Sequence, residues 1–92
     1  MELIFSKSED IYVAEVKVTG DFNLHIEGVV EGNVQVYQRG TETGGYALVR
    51  EATPYPSYGN VYDMDFSAAV YPKYIRVVCN SEPTLAVVTF AQ

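Results

Sequence analysis

Apolar and polar residues alternate with period two along most of this chain, and a helical spacing of about 3.6 residues is nowhere sustained. Phe22, Leu24 and Ile26 alternate with Asn23, His25 and Glu27, which makes this run the cleanest amphipathic strand. Over Ile11 to Thr19, Tyr12, Ala14, Val16 and Val18 share one face while Glu15 and Lys17 take the other. Tyr62, Met64 and Phe66 oppose Asp63 and Asp65 within Val61 to Ser67. Tyr74 to Cys79 is a dense β-branched run, and Leu85 to Phe90 reads as a closing strand.

The stretch from Gly32 to Glu51 predicts a β-hairpin at the centre of the fold. Val34 and Val36 alternate with Asn33, Gln35 and Tyr37, the run breaks at Gly40, and Tyr46, Ala47, Leu48 and Val49 resume after Gly44-Gly45. Glu2 to Phe5 predicts a short first strand, and Ser6 to Asp10 a turn. Val29-Val30 could extend pairing after Gly28. Ala52 to Asn60 predicts a loop, because Pro54 and Pro56 fix φ and remove backbone donors. Ala68 to Pro72 predicts a corner, and Asn80 to Pro83 a turn.

About eight short strands separated by turn chemistry predict an all-β chain. The expected architecture is a single-domain, two-layer antiparallel β-sandwich over residues 1–92, jelly-roll or immunoglobulin-like, with almost no helix. Phe22, Leu24, Ile26, Val34, Val36, Tyr62, Met64, Phe66 and Val77 are the expected core.

Charge narrows the partners. Six basic and twelve acidic residues give a net charge of −6 with no Lys/Arg block, so nucleic acid and anionic membrane surfaces are not expected partners. No apolar run approaches the roughly 20 residues a membrane-spanning helix needs. Met1 to Phe5 has neither a basic flank nor a small-residue cleavage site, so secretion by a signal peptide is not expected. Cys79 is the only cysteine, which excludes an intrachain disulfide, and its valine neighbours predict a small core residue in a reducing cytoplasm.

Candidate chemistry is sparse. His25 is the only histidine and points outward with Asn23 and Glu27, and one His and one Cys on separate strands cannot supply a zinc cage. Asp63 and Asp65 share a strand face and could bind calcium or act as an acid–base pair. However, calcium takes about six or more oxygens, and no Gly-containing acidic loop accompanies them, so a solvated strand face is expected. There is no nucleophile elbow and no phosphate-cradling glycine loop. No catalytic residue, cofactor or metal is expected. The best candidate binding surface is the proline-stiffened loop with Tyr55 and Tyr58 between Pro54, Pro56 and Gly59, joined by Tyr37 on the neighbouring hairpin. The alternative for the loop is a plug over one mouth of the sandwich.

Phe22-x-Leu24-x-Ile26-x-Gly28, Gly32-x-Val34-x-Val36-x-Gln38-Arg39, the Gly44-Gly45-Tyr46 step leading to Val49, and Tyr74-x-Arg76-x-Val78 resemble small β-sandwich virion proteins of tailed bacteriophages. The resemblance is to capsid decoration and head-fibre proteins and spans roughly Phe22 to Cys79. It implies a non-enzymatic structural component of the particle, made in the host cytoplasm and located in the virion. It also implies a homo-oligomer, trimer favoured, that docks on a capsid or tail protein, and it assigns no catalytic residue. A small glycan- or peptide-binding β-sandwich module is the alternative, with a glycan as a possible ligand.

Overall fold

The computed structural model describes residues 1–54 and 59–91. Its elements are β1 (Ser6–Ser8), β2 (Ile11–Val18), β3 (Phe22–Glu27), β4 (Val34–Arg39), β5 (Ala47–Ala52), β6 (Tyr62–Phe66), β7 (Lys73–Cys79) and β8 (Leu85–Phe90). The period-two runs fold as strands because one side of each can be buried while its backbone groups pair laterally. Two antiparallel sheets result, one in the order β1-β2-β7-β4-β5 and the other in the order β6-β3-β8. Among the described strands only β1–β2 and β4–β5 are sequence-adjacent pairs within a sheet, and the other successive strands lie in different sheets. The chain is an all-β sandwich, with principal extents of 35 × 31 × 19 Å.

The core lies between the sheets. Leu24, Ile26, Val34, Val36 and Val77 are fully enclosed, and Phe22 and Tyr62 nearly so, as the alternation predicts. Met64 and Phe66 are half-buried and pack against the core from β6, which has a neighbour on one flank only among the described strands. Phe66 stacks on Phe22 with ring centroids 5.1 Å apart. Cys79 is buried, and burial pushes its thiol up to about 12, so it is a small apolar core residue with no thiolate to offer near neutral pH.

The N-terminal segment corrects the sequence expectation. The first strand is Ser6–Ser8, within the predicted turn, and the chain reverses at Glu9-Asp10 with Glu9 at φ 55°. Glu2 to Phe5 instead contributes a single bridge, Glu2 to Val87, while Leu3 enters the core and Ile4 stays 78% exposed. β1 is an edge strand exposed along its whole length, so lateral hydrogen bonding alone selects it and apolar alternation carries no signal there. Val29 and Val30 do not extend a strand: Val29 is buried and Val30 is 66% exposed in the connection to β4. That connection begins at Gly28, with φ 86°, where an added Cβ would lie 2.4 Å from the Thr84 hydroxyl oxygen.

Candidate functional site

Each sheet turns an outer face to solvent, and the two faces carry most of the polar chemistry of the molecule. On the five-stranded sheet, pairing of Glu15 with Arg76, Arg76 with Tyr37, and Arg39 with Tyr74 brings these side chains to one surface. The loop between β4 and β5 folds back over them. Thr41 Oγ1 accepts a hydrogen bond from Gly44 N at 2.9 Å, an approach that leaves no space for a Cβ at Gly44, and Arg39 Nη1 donates to Gly44 O at 3.1 Å.

This fold-back places the Tyr46 ring against two guanidinium groups. Arg39 and Arg76 each lie 4.3 Å from the centroid of its ring. Tyr46 Oη donates to Glu15 Oε2 at 2.7 Å, and Arg76 Nη2 reaches the same oxygen at 3.2 Å. Arg39 also lies 5.8 Å from the Tyr74 ring, over which Lys17 is placed at 5.9 Å. Cation and ring therefore alternate through Lys17, Tyr74, Arg39, Tyr46 and Arg76. The Nε atoms of Arg39 and Arg76 are buried without a hydrogen-bond partner among the described residues, which fits guanidiniums positioned by stacking more than by hydrogen bonds. The Tyr46 hydroxyl and then the Arg76 guanidinium hold the Glu15 carboxyl below its usual range. Burial, followed by the Glu15 hydrogen bond, raises the Tyr46 hydroxyl.

On the three-stranded sheet the register sets Asn23 opposite Asp65 and His25 opposite Asp63. Asn23 Nδ2 donates to Asp63 Oδ1 at 2.6 Å and to Asp65 Oδ1 at 3.0 Å. His25 Nδ1 lies 2.6 Å from Asp63 Oδ2, and Nε2 lies 2.6 Å from Glu27 Oε2. Asp65, Asn23, Asp63, His25 and Glu27 thus form one hydrogen-bonded chain over β6 and β3. Hydrogen bonds to Glu27 and then to Asp63 raise the imidazole above its ordinary value, while those from Asn23 and then His25 hold the Asp63 carboxyl below its own.

No family model, curated protein or solved structure matches the chain. What the faces can do rests on their own geometry. Among the described residues no group of three or more His, Cys, Asp and Glu side chains is arranged to hold a metal ion. Both nitrogens of His25 are engaged by carboxylates, so the ring has no free base nitrogen to offer a substrate. A cleft of about 280 Å³ opens between the edges of β5 and β6 over Phe22, Phe66, Val49 and Ile75, with Arg50 and Lys73 also lining it. That is just under the roughly 300–1,000 Å³ usual for small-molecule sites.

Of the surface expected from sequence, Tyr55, Pro56 and Tyr58 lie outside the described residues, and Pro54 is buried. Tyr37 is half-buried on the outer face of the five-stranded sheet, where its hydroxyl donates to Gln35 Oε1 at 3.0 Å. Sequence reasoning missed Tyr46 as the centre of this face. The available signal was the pair of outward-facing arginines, Arg39 and Arg76, on two strands of matching alternation. It also treated His25 and the aspartate pair separately, although β3 and β6 bring them together.

Proposed function

We propose that this chain is a non-enzymatic structural protein of a phage particle, a capsid decoration or head-fibre component that self-associates and docks on a capsid or tail protein. The observation that carries the docking part of this reading is the preformed aromatic–guanidinium surface centred on Tyr46. Its rings and guanidiniums are already ordered, so little side-chain freedom remains to be lost on binding, and Tyr and Arg are the residue types on which interfaces concentrate binding energy. Leu48, opposite Tyr37 on the outermost strand, adds an apolar side chain that is 49% exposed. The virion part rests on the resemblance of the Phe22 to Cys79 motifs to phage decoration and head-fibre proteins. A trimer or another cyclic assembly is the expected form, since such proteins act as repeated copies on a symmetric particle.

A glycan-binding reading is less well supported at this face, because the Tyr46 ring already carries two guanidiniums, each 4.3 Å from its centroid, with which a sugar would have to compete. Light scattering coupled to size exclusion tests the proposal on the wild-type chain and on Leu48→Glu, a change at an exposed position that leaves the core untouched. The expected result is a wild-type oligomer and a folded, dissociated variant. A wild-type monomer that also fails to co-sediment with phage particles lacking the protein would contradict the reading.

A further inference from the structure

Among the described strands β6 pairs with β3 alone, at the edge of its sheet. On its inner side Tyr62 is buried, while Met64 and Phe66 are half-buried. Its outer side is tied to β3 by Asn23 and His25. The two ring nitrogens of His25 are each 2.6 Å from a carboxylate oxygen, Nδ1 from Asp63 on β6 and Nε2 from Glu27 on β3. A carboxylate only accepts, so both contacts are hydrogen bonds only if both nitrogens carry hydrogen, and imidazole does so only as the imidazolium.

We propose that His25 is a proton-dependent clasp: the imidazolium fastens β6 to β3, and loss of its proton loosens β6 while the five-stranded sheet stays closed. A neutral ring retains one hydrogen, so one of the two contacts would then set a nitrogen lone pair against a carboxylate oxygen. Free neutral imidazole prefers its hydrogen on Nε2, which here would keep Glu27 and give up Asp63, the contact that crosses between strands.

The surrounding strands supply no cationic side chain as a substitute. Glu27 faces the ring from β3, and Asp63, with Asp65 beyond it, from β6. From β8 the facing residues are Leu85, Val87 and Thr89, none of them charged. Glu2 pairs with Val87 and so lies in the same row, and Met1 N is bonded to Val88 O at the far edge. None of β3, β6 and β8 contains Lys or Arg, so deprotonation leaves Glu2, Glu27, Asp63 and Asp65 on a face without a cationic side chain.

The direction follows from the partners. The folded state holds the His25 proton more tightly than the unfolded chain does, because Glu27 and Asp63 accept from it. The clasp is therefore complete below the ordinary imidazole value of about 6.5 and is lost as pH rises through the raised folded-state value. At the acid end it is lost when Asp63 protonates, below the ordinary carboxylate range.

NMR on the intact chain tests this by two measurements, titration of the His25 ring and hydrogen exchange of the β6 amides relative to those of β7, each corrected for the intrinsic pH dependence of exchange. The expected ring midpoint is above that of histidine in the urea-unfolded chain, and β6 protection should fall several-fold relative to β7 as pH crosses it. In His25→Gln, whose single amide group cannot serve both carboxylates, that ratio should be independent of pH. An ordinary ring midpoint, a constant β6-to-β7 ratio in the wild type, or an unchanged pH profile in His25→Gln would each overturn the proposal. Should His25→Gln fail to fold, the two wild-type measurements decide.

Discussion

On the outer face of the three-stranded sheet, charge is held by short side chains bonded directly to one another across β3 and β6, whereas on the five-stranded sheet long side chains are held against an aromatic ring. Asn, Asp and His lose little rotamer freedom when fixed, so strand register alone positions them. Arg39 and Arg76 would lose far more, and the rigid Tyr46 ring that both approach defines where each guanidinium rests. One face depends on a proton and the other does not. The Tyr46 hydroxyl is raised and the Glu15 carboxyl lowered, so both keep their present charge states across the neutral range.

Leu24 lies beneath both faces and sets the scale for them. Leu24→Ala should destabilise the chain by about 2–5 kcal/mol, through lost burial and the cavity left between the sheets, read from the urea midpoint. Tyr46→Ala comes next. It removes two cation–π contacts and leaves Arg39 and Arg76 without the ring that holds them, at a cost of about 1–3 kcal/mol in chemical denaturation. Tyr46→Phe keeps the stacking and loses only the hydrogen bond to Glu15, so about 0.5–1.5 kcal/mol is expected. If the Ala and Phe variants lost the same amount, the ring would not be organising the arginines, and this side of the comparison would fail.

The fold was legible because burial leaves a periodic trace. Phe22, Leu24 and Ile26 on β3, and Tyr62, Met64 and Phe66 on β6, identify inward faces without any knowledge of neighbours. Pairing is different, because β3 and β6 are separated by the β4–β5 hairpin, and no local pattern says that they meet. Once they are known to meet, the two apolar triads allow one full in-phase overlap, with Phe22 opposite Phe66 and Ile26 opposite Tyr62. That register carries His25 onto Asp63. β1 was missed for the converse reason: its Ser-Lys-Ser backbone is paired while its side chains are exposed, so nothing in its sequence marks it as a strand. Tyr46 was hidden because its role comes from a loop folding back over residues of β2, β4 and β7, a long-range contact with no periodicity of its own.

The most direct measurement of the difference between the faces is the stability of wild type, His25→Gln and Tyr46→Phe by urea denaturation from about pH 5 to about pH 9, a range below the ordinary tyrosine value and above the ordinary carboxylate values. Stability from a raised histidine is present below the unfolded-state value and disappears as pH rises through the folded-state one. The wild-type advantage over His25→Gln should therefore shrink toward the alkaline end, while its advantage over Tyr46→Phe stays constant. Two flat differences, or two that fall together, would contradict the account.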